Sequence, residues 1–172
     1  MKKGFLALIC VMAIVLAACS NKEQETKEED GVGFELTGDT IEEAANVPAD
    51  KKQEIIASFE EYINAFNDKD LTRYLATLSK NTKSFDYNEQ EESVQLEFEQ
   101  FDTTRTVDTV TIVKYKEKEA QVFANVGIAR TEKASGQSVE VQGRQVTVLV
   151  PEDDTWKVSS IYFIADTAPH EQ

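Results

Sequence analysis

From Arg105 to Ile164 the sequence consists of four runs rich in Val, Ile, Thr, Tyr and Phe. They cover about 105–115, 120–131, 138–150 and 155–164, and the connections between them are short and polar. Lys116-Glu117-Lys118-Glu119 forms the first connection, Glu132 to Gln137 with Gly136 the second, and Pro151-Glu152-Asp153-Asp154 the third. β-Branched and aromatic side chains suit a pleated, half-buried surface. Connections this short join antiparallel neighbours, because a parallel crossover needs a dozen or more residues. The second half of the chain therefore reads as a four-stranded antiparallel meander, and its apolar face requires a covering layer. Within the third run, Val139 and Val141 fall on odd positions, whereas Val146, Val148 and Val150 fall on even ones. A one-residue phase change with Gly143 in the middle predicts a β-bulge there, and with it a curved sheet.

The preceding segment supplies the cover. Ile55, Ile56, Phe59, Tyr62, Ile63 and Phe66 recur at helical spacing. Asp50 with Gln53, just after Pro48, has the pattern of a capping box. Asn67-Asp68-Lys69-Asp70 interrupts the helix, and Asp70 can cap a second one carrying Leu71, Tyr74, Leu75 and Leu78. A third, short helix from about Glu89 to Phe101 adds Val94, Phe98 and Phe101. The fold class is α+β: N-terminal helices packed on a curved four-stranded antiparallel sheet. The domain spans 50–165, with 166–172 as a frayed C-terminal tail.

Upstream of the domain the chain has a different character. Lys2 and Lys3 precede an uncharged, mostly apolar run from Gly4 to Ala18, which ends in Leu16-Ala17-Ala18-Cys19. A positive start, a short apolar core and small residues before a cut site describe a secretory signal peptide over residues 1–18. The run falls short of the roughly 20 apolar residues that a membrane-spanning helix needs. Residues 19–49 read as a flexible tether, since Lys22 to Asp30 is nearly all polar or charged and offers little apolar surface to bury.

Composition narrows the partners. The 172-residue chain carries 18 basic and 32 acidic residues, a formal net charge of −14. Removing residues 1–18, with their two lysines, leaves 154 residues at −16. Nucleic acid is excluded as a partner, because binding it requires Lys and Arg to displace counterions. Cys10 leaves with the signal peptide, so Cys19 is the single cysteine of the mature chain. The domain is then held together by packing, without an internal disulfide.

Two resemblances follow from these residues. Leu16-Ala17-Ala18-Cys19 resembles the lipobox of bacterial lipoproteins. That likeness implies a diacylglycerol on the Cys19 thiol, cleavage just before it, and attachment to the extracytoplasmic face of the cell membrane. Two acyl chains give stable anchoring where one is marginal. The order of helices and strands resembles the nuclear transport factor 2-like superfamily, which includes ketosteroid isomerase and polyketide-cyclase-like proteins. Phe59-Glu60-Glu61-Tyr62-Ile63-Asn64-Ala65-Phe66-Asn67-Asp68-Lys69-Asp70-Leu71 is similar to that family's first helix and turn. Trp156-Lys157-Val158-Ser159-Ser160-Ile161 is similar to its final strand. The likeness covers about residues 50–165 and implies a cone with a pocket between sheet and helices. A cystatin-like arrangement, one helix on a curved sheet, is the alternative.

Tyr62, Tyr74, Trp156 and Tyr162 are the candidate lining of such a pocket. Tyr62 and Tyr74 lie on helix stripes, where core packing competes with a site role. Trp156 and Tyr162 alternate with Val158 and Ser160 on one face of the last strand. Arg105, Arg130 and Arg144 stand on or near strands, and any of them on the concave face would attract an anion. Catalytic groups are not expected. Ketosteroid isomerase uses a carboxylate base with a tyrosine and a protonated acid, whereas Asp86 here sits in a polar stretch. The His–Asp chemistry of dehydratase-like relatives would have to rely on His170, the single histidine, near the C-terminus. Asn67, Asp68 and Asp70 lack the glycine and distal glutamate of a calcium loop, and no His–Cys cluster exists for zinc. No cofactor or metal is expected.

The preferred reading is a membrane-anchored, non-enzymatic module that binds a small apolar ligand or an envelope protein. Two alternatives stay open: a small isomerase- or cyclase-like enzyme, and a homodimer formed through the outer sheet face.

Overall fold

A computed structural model of the chain describes residues 41–166. The expected signal peptide, Cys19, most of the expected tether and His170 lie outside the described residues. Three helices are followed by four strands: α1 (Ala49–Asn67), α2 (Leu71–Ala76), α3 (Tyr87–Gln100), β1 (Phe101–Lys116), β2 (Glu119–Glu132), β3 (Ser138–Glu152) and β4 (Thr155–Ala165). The strands form one antiparallel sheet in the order β1-β2-β3-β4, the meander that the short connections predict. Asp153 and Asp154 both take left-handed backbone angles, φ 52° and 59°, which matches the tight turn joining twisted strands.

The core lies between α1 and the inner sheet face. Ile55, Phe59, Tyr62, Ile63 and Phe66 on α1 are all buried, against Ile112 of β1, Val122, Ala124 and Val126 of β2, Leu149 of β3 and Val158 of β4. Each large apolar side chain buried in this way contributes about 1.5–3 kcal/mol. The helix starts at Ala49, with Pro48 in the capping position and no side-chain cap. Asp50 thus sits inside the first turn, where a carboxylate favours the positive end of the helix, and the expected capping box does not form. Ala44 and Val47 also pack on the core, and the Ala44 N–H donates to the Ile112 carbonyl at 2.7 Å, so the packed domain reaches back before residue 50.

The other caps follow the side-chain rule. Asp70 accepts from the Arg73 N–H at the start of α2, and Asp86 accepts from the Asn88 and Glu89 N–H groups at the start of α3. Between these helices the polar stretch from Thr77 to Ser84 runs along the free edge of β4. The Val158 N–H donates to Thr77 and the Ser79 N–H donates to Val158, both at 2.8 Å. Thr82 donates to the Ser159 carbonyl at 2.6 Å.

No bulge forms at Gly143. The β2–β3 register runs unbroken from Ala120↔Leu149 to Thr131↔Ser138. The valines change phase because β3 is buried on both faces: Thr147 and Leu149 point to the helices, while Val146 and Val148 are buried on the opposite face beside Phe123. Register shifts occur instead in the edge pairs, between Asp108 and Thr111 and between Ile112 and Lys114 in β1, and opposite Val148/Leu149 in β4. A strand packed on both sides cannot slip without moving every side chain to the wrong face, so the irregularity goes to the edges. Thr109 marks the first bulge with φ 53°, a rare conformation for a β-branched residue. Gly143 has a separate purpose. A Cβ at this position would fall 2.6 Å from the Phe163 ring and closer still to the Ile164 carbonyl, so glycine lets Phe163 lie across β3.

Candidate functional site

At the end of the sheet away from the β1–β2 turn, the helices diverge from the inner face and leave a cleft of about 360 Å³. Its floor is Tyr62 and Phe66 of α1 and Tyr74 of α2. Gln90, Ser93, Val94 and Glu97 of α3 form one wall. The sheet contributes Thr103 and Arg105 of β1, Ile128 and Arg130 of β2, Gln145 of β3 and Phe163 of β4. An adjoining recess of about 400 Å³ shares Ile128, Arg130 and Phe163 and extends over Phe101, Val139 and Val141.

Arg105 organises the floor. Its backbone is clamped by the Asn67 side chain, which accepts from the Arg105 N–H and donates to the Arg105 carbonyl, each at 2.8 Å. The guanidinium lies 3.6 Å above the Phe66 ring and donates through Nη1 to the Tyr62 hydroxyl at 2.7 Å. The Tyr74 hydroxyl joins both partners, with the two tyrosine rings 5.5 Å apart. Burial pushes the Tyr74 hydroxyl well above the ordinary phenol range, so it stays a neutral hydrogen-bonding group. Burial works against the charge on Arg105, but the two tyrosine hydroxyls favour it and the guanidinium remains cationic. Among the described residues no carboxylate pairs with this guanidinium.

Glu97 and Arg130 stand at the mouth. Arg130 donates from Nε and Nη2 to the two carboxylate oxygens at 2.9 and 2.7 Å, and Thr103 donates to the same carboxylate at 2.5 Å. Partial burial opposes ionisation of Glu97, but these bonds outweigh it and hold its carboxyl below the usual range. Arg130 also stacks on Phe101 at 3.4 Å. Among the described residues no cluster of three or more His, Cys, Asp or Glu could hold a metal ion. In the Asn67–Asp70 turn, Asp68 pairs with Arg73, Asp70 caps α2 and Lys69 pairs with Asp102.

The structure brings together two of the four aromatic candidates. Tyr62 and Tyr74 are almost fully buried yet line the cleft. Trp156 is packed in the core at the other end of the sheet, its ring 6.3 Å from that of Tyr115. Tyr162 faces away from the helices and is 46% exposed. The irregularity at Ser159 breaks the alternation that would have put Trp156 and Tyr162 on one face, since Trp156 pairs with Pro151 but Tyr162 with Val146. Of the three arginines, Arg144 points outward toward Asp166, Arg130 is paired at the mouth, and Arg105 alone lacks a carboxylate partner among the described residues. Phe66, Glu97, Thr103 and Phe163 are among the other residues that line the cleft. The signal for Thr103 and Arg105 was their parity with Val107 and the apolar positions of the inner face.

The helical layer over a curved four-stranded sheet, open at one end into a cleft, is the nuclear transport factor 2-like fold. A ketosteroid isomerase-like protein from Erwinia carotovora atroseptica superposes with a TM-score of 0.58 at 18% identity, covering 70% of this chain and 100% of that one. A candidate dehydratase of the same fold family from Streptomyces avermitilis gives 0.60 at 12%, covering 70% and 100%. A candidate aromatic ring hydroxylase from Novosphingobium aromaticivorans gives 0.64 at 15%, covering 71% and 93%. At these identities the likeness concerns the fold alone. No curated protein sequence matches the chain. Residues 57–164 match the model of the anti-sigma-I factor RsgI9 C-terminal domain, and the chain belongs to that family.

The Glu97 carboxyl yields a pH-dependent prediction. Its folded-state value is depressed, so its contribution is present above the unfolded-state value and lost as pH falls through the folded one. Glu97→Gln should lower stability by about 1 kcal/mol near pH 7. The gap between variant and wild type should narrow toward about pH 3, below the ordinary carboxylate range. Urea unfolding at the two pH values measures it, and a gap that widens on acidification would contradict the assignment.

Proposed function

We propose that the chain is a lipid-anchored, extracytoplasmic binding module whose cleft receives a ligand without transforming it. The observation that carries this reading is the chemistry of the cleft. Its carboxylate, Glu97, is occupied by Arg130 and Thr103 and held ionised, which makes it a weak base. An isomerase of the ketosteroid kind needs a free carboxylate base beside its tyrosine. What the cleft offers instead is a fixed cation beside aromatic, aliphatic and neutral polar side chains, a recognition surface. The matching family is named for a domain of an anti-sigma factor, a regulatory protein, and that accords with binding. The lipobox-like Leu16-Ala17-Ala18-Cys19 supports the location, and the polar residues behind it would let the domain stand off the membrane.

Two measurements test the two halves of the reading. Ile128→Trp places a larger side chain where the cleft meets its recess. Binding of a neutral solvatochromic dye, followed by fluorescence, should disappear in this variant while its unfolding midpoint stays near wild type. Dye binding equal to wild type would refute the cleft as the site. Cys19→Ala should move the protein from the membrane fraction to the medium, or leave it unprocessed. Retention of a cleaved form of the variant at wild-type levels in the membrane fraction would remove the lipid anchor from the account.

A further inference from the structure

Taking the cleft to be a binding site, as proposed above, we infer that its ligand class is a monocarboxylate with an apolar body. The carboxylate would sit on Arg105 and the body would lie along Ile128 and Phe163 toward Val141.

The cleft holds a positive charge that no carboxylate of the described residues answers. The chain has 32 acidic residues against 18 basic ones, so a base without an acid is not a matter of supply. Arg73, Arg130 and Arg144 each lie within 4 Å of a carboxylate. Arg105, the most enclosed of them, meets tyrosine hydroxyls and aromatic faces but no carboxylate among the described residues. A guanidinium has five N–H donors in a planar fork. Here the Phe66 ring covers one face, and Nη1 is held by Tyr62. The Tyr74 hydroxyl interacts with the same guanidinium, and among the described residues no carboxylate pairs with it. A guanidinium fork matches a carboxylate bidentately. The surrounding groups leave room for one negative charge. Arg130, the other cation lining the cleft, is already paired with Glu97. Beyond the head, Ile128 and Phe163 lead into the recess with Val139 and Val141, where Glu132 and Gln137 also stand at the lining, and Val139 is 61% exposed. A solvent-exposed valine beyond Ile128 and Phe163 suits the tail of an amphiphile.

Titration calorimetry of the wild-type domain with decanoate, decanol, acetate and decyl phosphate tests this at near-physiological salt. Decanoate should bind at least about tenfold more tightly than decanol, the difference expected for one charge-assisted pair in a half-buried site. Acetate, which has the head without the body, should show no saturable binding. In Arg105→Gln, decanoate should fall to the affinity of decanol, with decanol unchanged. Should that variant not fold, the Arg105 Nε–H resonance of the wild-type protein reports the same event, and should shift on adding decanoate but not decanol. Equal affinity for decanoate and decanol, with both shifting cleft resonances, would overturn the carboxylate assignment and leave the cleft as a binding site. Tighter binding of decyl phosphate than of decanoate would overturn it in favour of a phosphate head. Cleft resonances unmoved by any of the four would overturn the binding reading as well.

Discussion

One side chain fixes the geometry on which the cleft depends. Asn67, the last residue of α1, places its carboxamide against the β1 backbone so that it accepts from and donates to Arg105. It acts as a one-residue strand on the free edge of the sheet. Backbone groups on an edge otherwise need water or another chain. The clamp thereby closes the edge and sets where α1 crosses it. Because Tyr62 and Phe66 lie one turn apart on the same helix, fixing Asn67 against Arg105 also brings their rings to the Arg105 guanidinium. The opposite edge is treated in the same way, with Thr77 and Ser79 bonded to the Val158 backbone. Helices pinned at both edges and packed over the middle leave the sheet open at one end, where the cleft lies.

Electrostatics gives that cone its character. A guanidinium is costly to desolvate, and a carboxylate partner is the usual compensation. Here the compensation comes from two phenols and an aromatic face, which stabilise the charge without cancelling it. The cleft is therefore locally positive within an acidic chain, while Glu97 and Arg130 cancel each other at its mouth. The relatives of similar fold include proteins described as isomerase-like and as a candidate dehydratase. The same framework carries different side chains in different chains, so function is argued from the cleft rather than from the fold.

Much of the fold could be read from the sequence. The four strands and their antiparallel order followed from connection lengths, α1 from its apolar period, and the Asp70 cap from a carboxylate behind a turn. Two departures have separate causes. The valine phase change implies a bulge at Gly143 only if one face of β3 is buried, whereas both are. Trp156 and Tyr162 fall on opposite faces because of an extra residue at Ser159 that nothing local marks. The cleft was only half legible. Tyr62 and Tyr74 were visible from their helix stripes. The importance of Arg105 was not, because it depends on the absence of a nearby acid, a property of the packed structure rather than of the local sequence.

The most direct test of this account is the exchange rate of the Arg105 backbone amide. On an unclamped edge strand it would exchange nearly as fast as an exposed loop amide. Bonded to Asn67, it should be protected to the same degree as Val122 and Val126 in the central strand β2. In Asn67→Ala that protection should vanish at Arg105 and persist at Val122 and Val126. If the Arg105 amide of the wild-type protein exchanged at the rate of an open edge, the clamp, and with it the placement of the cleft around Arg105, would be contradicted.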